Sequence, residues 1–168
     1  MDTWLMHPEW PHLTVVTRVP VRRPSSLPTN LTLVERYLPA SELRALVNRC
    51  GISVQPTEME GYGHSLAGAM SAKAVVLVTD GAPMNERIDE SCGVMIAPSR
   101  QEPHYMGRRY FVTPASIERA MAAVLGMGRE QLERVGAAAR RAVLRAVAVI
   151  VTVPHGLVGH HPADHLLR

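Results

Sequence analysis

The sequence contains little cysteine, and its two thiols, Cys50 and Cys92, do not have the spacing typical of zinc ligands. Isolated thiols of this kind are typical of a reducing compartment, so we expect a cytoplasmic protein. His155, His160, His161 and His165 lie in a tail that we do not expect to form a helix, so no helix would turn pairs of them toward one another. We therefore expect no metal site.

The sequence also lacks the signals of membrane and nucleic-acid proteins. No apolar run approaches the length of about 20 residues that a membrane-spanning helix needs. The first residues, MDTWLMHPEWPHL, lack the basic start and long apolar stretch of a signal peptide. Lys73 is the only lysine, and the arginines behind the net charge of +3 are scattered along the chain. We expect neither a membrane span nor a nucleic-acid surface.

Short apolar strands alternate with helices along most of the chain. The predicted strands cover residues 13–17, 31–34, 52–54, 74–79 and 93–97. The predicted helices cover residues 41–50, 65–73, 83–90, 113–125 and 129–148. Because the clearest strands are apolar throughout, we expect them to be covered on both faces. This pattern predicts an α/β fold, in which helices lie on both faces of a parallel sheet.

The length of 168 residues allows one domain, which we place at residues 1–148. Residues 1–12 are predicted to be an irregular lead-in, and residues 98–112 a charged loop. Residues 149–168 are predicted to form an irregular tail, although residues 147–153 have the composition of a strand.

The segment VQPTEMEGYGH, residues 54–64, follows a strand and leads into a helix. In parallel sheets, ligands bind at such loops, beyond the carboxyl ends of the strands. Gly61 and Gly63 flank Tyr62 and let the backbone approach a ligand closely. Free amides at the start of the helix favour a phosphate, and Glu60 can accept hydrogen bonds from sugar hydroxyls. The alternative interpretation is a plain turn between a strand and a helix.

A longer stretch that contains this loop resembles a known family. Residues 56–98, PTEMEGYGHSLAGAMSAKAVVLVTDGAPMNERIDESCGVMIAP, resemble the signature of retaining GT-B glycosyltransferases. That signature has Pro-Ser/Thr-x-x-Glu-Gly-Phe/Tyr-Gly, then Glu-Ala-Met-Ala-x-Gly, a buried strand, and a glutamate that opens a short helix. The resemblance covers roughly residues 36–97. It implies one Rossmann-like lobe of a GT-B architecture, the lobe that binds the nucleotide-sugar donor.

The resemblance also implies roles for individual residues. Glu60 would approach the donor sugar, and Gly61, Tyr62 and Gly63 would face its hydroxyls. His64 and Ser65, at the start of the helix, would face the diphosphate. Glu86 matches a later acidic position of the family. Arg18 and Arg22 follow the first strand, where the family holds the diphosphate with basic residues. The donor would be a nucleotide sugar, with no metal or other cofactor.

The chain departs from the family pattern in two places and lacks one of the family's two lobes. Gly68 occupies the position of the glutamate that holds the ribose, and Lys73 replaces a glycine. The acceptor-binding lobe would have to come from another chain. Three hypotheses follow: a donor-binding half of a glycosyltransferase, an inactive remnant or nucleotide-sugar-binding module, and an unrelated phosphate-binding α/β domain.

Overall fold

The computed structural model describes residues 1–21 and 26–151, with side chains as far as Ala146 in the last helix. The strands are β1 (Leu13–Val16), β2 (Leu31–Val34), β3 (Ile52–Gln55), β4 (Val75–Thr79), β5 (Gly93–Ile96), β6 (Arg100–His104) and β7 (Gly107–Phe111). The helices are α1 (Asp2–Leu5), α2 (Ala40–Arg49), α3 (His64–Ser71), α4 (Pro114–Leu125) and α5 (Arg129–Val151), and a short 3-10 helix spans Met84–Arg87.

The strands form three separate sheets. β3, β4 and β5 form a parallel sheet with β4 in the middle, where Ile52 pairs with Val75 and Val76 with Gly93. β1 and β2 form a second parallel sheet, and β6 and β7 an antiparallel hairpin. The chain therefore has an α/β fold with parallel sheets and helices, compatible with the Rossmann-like fold that we expected.

The core lies on both faces of β4, whose five residues are all buried. Val76 and Val78 belong to a cluster shared with α3 and α5. Val75 and Leu77 belong to a second cluster, which includes Trp4 of α1 and residues of α4. Because successive side chains of a strand point to opposite faces, one apolar run fills both clusters. The expected helices on both faces of the sheet are thus confirmed for β4.

The predicted loop at residues 98–112 is wrong, because this segment forms the hairpin of β6 and β7. Pro103 and the charged side chains suggested a loop. The hairpin accommodates them because β6 pairs with β7 on one side only, and proline is tolerated in such an edge strand. The turn is at Tyr105, whose φ is 49°.

Three further expectations need correction. The lead-in at residues 1–12 contains α1, and only Met84–Arg87 of the expected helix at 83–90 is helical, as a 3-10 turn. α5 continues to Val151, so its strand-like residues 147–151 are helical. The helix contains no proline, and Arg129 pairs with Glu133 at 2.9 Å in its first turns. A helix, once nucleated, extends at little cost, even through β-branched residues. The rest of the predicted tail lies outside the described residues.

Among the described residues, no helix is both long and apolar enough to cross a membrane.

Candidate functional site

A small cleft of about 90 Å³ lies at the carboxyl ends of β3 and β4. Parallel sheets commonly bind ligands at this edge. Its walls come from the end of β3, the loop after it, the start of α3 and the 3-10 helix. The lining residues are Gln55, Thr57, Glu60, Gly61, Tyr62, Gly63, Leu66, Val78, Pro83, Met84, Glu86 and Arg87. We call this site the loop cleft.

The β6–β7 hairpin holds the loop that carries Glu60. The amide of Tyr110 donates to the carbonyl of Glu58 at 2.8 Å, and the guanidinium of Arg109 pairs with the Glu58 carboxylate. The Tyr110 ring also packs against Gly81, where an added Cβ would lie 2.6 Å from it. The hairpin, which the sequence analysis did not predict, thus holds this loop in place through contacts with Glu58.

Gly63 sets the entry into α3. Its φ is 73°, a left-handed conformation that glycine adopts without steric cost. The first hydrogen bond of α3 runs from the Ala67 amide to the Gly63 carbonyl at 2.9 Å, and no side chain caps the helix. The amides of His64, Ser65 and Leu66 therefore have no partner within the helix.

The start of α4 is different, because it is capped from within. Thr113 accepts a hydrogen bond from the Ser116 amide at 3.2 Å, and the two residues form a capping box. An uncapped helix start such as that of α3 is suited to an anion, whereas the capping box of α4 already satisfies part of its start.

Arg87 brings an incompletely satisfied positive charge to the loop cleft. Its guanidinium lies 4.1 Å from the centre of the Tyr62 ring, a cation–π contact. Its Nη1 atom is buried and has no hydrogen-bond partner among the described residues. The Oγ1 atom of Thr57, also in the cleft lining, is likewise buried and unpaired. Buried polar atoms normally have partners, so these two suggest that a ligand supplies them.

Sequence reasoning did not find Arg87, because it lies far from Tyr62 in the chain and no local spacing connects them. The only signal was its position directly after Glu86, in the short helix that follows β4. The folded chain brings both residues to the cleft.

The structure brings Glu60, Gly61, Tyr62, Gly63 and Glu86 together in the loop cleft. Glu60 is half-buried, whereas Tyr62 and Glu86 are exposed. The two carboxylates and Arg87 give the cleft charges of both signs.

The other expected site residues lie elsewhere. His64 and Ser65 begin α3 but line a second, larger cavity, and Ser65 Oγ donates to Gln55 Oε1 at 3.1 Å. The His64 ring remains 4.8 Å from the Tyr62 ring. Arg18 lies 5.7 Å from the centre of the Tyr37 ring and does not line the loop cleft. Arg22 lies outside the described residues.

The second cavity has a volume of about 1020 Å³ and lies between β1 and β3. Gln55, the last residue of β3, lines both cavities. Gly68 lines the second cavity, is exposed, and has no atom within 4 Å of an added Cβ. The position therefore has room for a side chain that the chain does not carry.

Two titratable groups that follow the 3-10 helix have shifted pKa values. Burial raises the pKa of the Cys92 thiol, so it is protonated and unreactive at neutral pH. Hydrogen bonds from Ser91 hold the pKa of the nearby Asp89 carboxyl below its usual range. In the part of the chain that the structure describes, no three His, Cys, Asp or Glu side chains come together as a metal site.

Comparison of the chain with known proteins finds no protein-family model that matches it and no curated protein that matches it.

Proposed function

We propose that this chain binds a nucleotide sugar and is the donor-binding half of a retaining GT-B glycosyltransferase. The observation that carries the proposal is the unpaired Nη1 atom of Arg87 in the same cleft lining as Glu60 and the uncapped start of α3. A ligand that combines phosphate and hydroxyl groups would satisfy all three. The resemblance at residues 56–98 selects a nucleotide sugar among such ligands.

In this proposal the sugar ring enters the loop cleft. Glu60 accepts hydrogen bonds from the sugar hydroxyls, and the ring packs against the turn at Gly61–Gly63. A cleft of about 90 Å³ is far smaller than the 300–1,000 Å³ of a typical ligand pocket. It therefore takes only a small part of the ligand, and the nucleotide lies outside it, across the start of α3.

The diphosphate lies over the amides of His64 and Ser65, within reach of Arg87. During transfer, negative charge develops on the leaving diphosphate as its bond to the sugar breaks. Backbone amides and a guanidinium that already point at this charge stabilise it without reorganising. The acceptor is bound by the other lobe of the GT-B architecture, and no metal is required.

A second function is a nucleotide-sugar-binding module that performs no transfer. Gly68 favours it, because this position provides no group to hold a ribose and has open space in front of it. Gly68→Glu separates the two functions. If Gly68→Glu tightens the binding of UDP and not of a sugar phosphate, the ribose site has decayed, and the module is the better description.

The test of donor binding is calorimetric titration of the chain with UDP, GDP and their glucose and mannose conjugates. We expect one conjugate to bind, with Arg87→Ala weakening it by about 10- to 100-fold, the usual value of a charge-assisted hydrogen bond. Glu60→Ala should weaken the conjugate more than the free nucleotide, because Glu60 contacts the sugar. Arg119→Ala, at an exposed site on α4 outside the cleft, is the matched control.

Binding that is insensitive to both Glu60→Ala and Arg87→Ala would contradict the proposed site. No binding of any nucleotide or conjugate would contradict the proposed function. Arg18→Ala tests the expectation that Arg18 binds the diphosphate. A loss of affinity equal to that of Arg87→Ala would show that Arg18 belongs to the phosphate site.

A further inference from the structure

In the part of the chain that the structure describes, the cavity between β1 and β3 is bordered by two strand edges without a paired neighbour. Among these described strands, β1 pairs with β2 alone, and β3 pairs with β4 alone. Residues of both strands line the cavity, among them Leu13, Val16, Ile52 and Val54. We call this cavity the strand groove. An unpaired strand edge inside a fold is a ready template for another strand.

The hydrogen bonds on the paired sides show which backbone groups face the groove. The amides of Leu13 and Thr17 donate to the β2 side, to Asn30 and Val34, at 2.8 and 3.0 Å. Because peptide groups alternate along a strand, those of Thr14 and Val16 point the other way.

The same alternation applies to β3. The Gly51 carbonyl accepts from the Val75 amide at 2.9 Å, so Gly51 and Ser53 direct their backbone groups toward β4. The backbone groups of Ile52 and Val54 therefore point into the groove. Each wall thus presents a row of donors and acceptors at the spacing of a strand.

The size of the groove fits one strand. Neighbouring strands are about 4.8 Å apart and layers about 10 Å apart, so five residues, about 16 Å long, occupy roughly 800 Å³. The groove has about 1020 Å³. One strand fills most of this space, whereas two would not fit.

The surroundings of the groove favour an apolar strand with acidic ends. α2 carries Leu43, Leu46 and Val47 toward the groove, yet none of its residues is buried. A strand covered on both faces is a continuous apolar run. The lining contains two arginines, Arg44 and Arg49. There is no carboxylate among the described lining residues. Both arginines belong to α2, and acidic residues that flank the apolar run of the strand would complement their charge.

We infer that the strand groove receives an extended segment of a second polypeptide. This segment has at least five apolar, mainly β-branched residues, no internal proline, and Asp or Glu at its ends. Its backbone bonds to Thr14 and Val16 on one side and to Ile52 and Val54 on the other. The two parallel sheets then become one continuous sheet, and the apolar side of α2 becomes buried. This is strand addition, which obtains affinity from main-chain bonds and specificity from alternate side chains.

A peptide with the sequence DAVVLVTD, whose centre copies residues 74–79, tests the inference. We expect hydrogen exchange at the amides of Thr14, Val16, Ile52 and Val54 to slow by at least about tenfold when the peptide binds. The amides of β5 should not change. KAVVLVTK should bind more weakly, because its lysines repel Arg44 and Arg49. A version N-methylated at alternate residues, which keeps the side chains but lacks half of the donors, should not bind.

A protein variant checks the same contact from the other side. Val54→Pro removes a groove-facing amide and leaves the β4-facing groups of Ser53 and Gln55 in place, so it should weaken the peptide by at least about tenfold. Val54→Ala keeps the amide and should weaken it less. Arg87→Ala should leave peptide binding unchanged, so failure here and failure of nucleotide-sugar binding are distinguishable.

Three results would overturn the inference. The first is no binding of either charged peptide. The second is protection of these four amides in the protein alone that disappears when residues 149–168 are deleted, since the chain would then fill its own groove. The third is protection that rises with protein concentration together with a dimer mass, since a second copy would then be the occupant.

Discussion

β1 and β4 are both short apolar strands of parallel sheets, yet their surroundings differ. Every residue of β4 is buried, whereas every residue of β1 is only half-buried. β4 has a paired strand on each side, and β1 has one. The composition of the two strands does not account for this difference. LTVV and VVLVT each contain one threonine, and their other residues are all apolar. The neighbours of a strand, more than its own residues, determine how completely it is buried.

The same contrast separates α4 from α2. Both have an apolar stripe at helical spacing, but α4 buries Ala120, Met121 and Val124, and α2 buries nothing. α4 packs on the sheet of β3–β5, whereas α2 faces the strand groove. The region around β4 is therefore a fully buried core, whereas the region around β1 and α2 is only partly buried.

The largest expected effect compares a leucine from each region. Leu77→Ala removes a fully buried side chain and should lower the free energy of unfolding by about 2–5 kcal/mol. Leu33→Ala, at a half-buried position of β2, should cost less than half as much, because the wild-type side chain buries less apolar surface. Urea unfolding measures both. Equal losses would show that the two regions are packed alike.

The next effect concerns two helical glycines. Gly136→Ala would place a Cβ 2.1 Å from the Lys73 carbonyl oxygen, where α5 meets the end of α3. Such overpacking should cost about 1–3 kcal/mol. Gly68→Ala, which meets no atom within 4 Å, should instead stabilise α3 by about 0.5–1 kcal/mol. Thermal unfolding of both variants measures the signs, and a stabilising Gly136→Ala would mean that this contact is loose.

A smaller gain is expected at the end of α3. Lys73 has a φ of 62°, in the left-handed region that disfavours residues with a side chain. Lys73→Gly should raise the free energy of unfolding by about 1 kcal/mol, because it relieves this conformation. Lys73→Ala, which keeps the Cβ, serves as the control and should show no gain. Equal gains from both variants would assign the effect to the lysine charge instead.

The smallest effect is a pH dependence near α1. His7 lies 2.9 Å from Glu9 and 3.4 Å from Glu118. The hydrogen bond with Glu9 is the main cause that raises the pKa of His7 above 6.5. Because the folded pKa is raised, protonated His7 stabilises the fold below pH 6.5, and this contribution is lost as the pH rises through the raised pKa.

Melting temperatures of the protein and of His7→Gln, measured from about pH 5.5 to 8.5, check this dependence. We expect the difference between the two to shrink as the pH rises. A difference that stays constant, or that grows with pH, would contradict the assignment.

The loop cleft contains residues that the local sequence predicts and one that it does not. Glu60, Gly61 and Gly63 were found from sequence, because a glycine-rich loop between a strand and a helix has a local signature. Arg87 was missed, since its contact with Tyr62 exists only in the folded chain. Arg18 follows a strand in the sequence, but the structure places it beside Tyr37. Sequence position after a strand does not determine which cavity a side chain reaches.

The sequence by itself determined β1 to β5 and α4, because periodicity, proline and capping residues act over a few neighbours. It also determined the turn that opens α3, where Gly63 adopts a left-handed conformation. Only the tertiary structure decided the division into two parallel sheets, the hairpin that holds Glu58, and the position of Arg87. These features depend on which distant segments meet, and a strand edge left without a partner has no signature in its own residues.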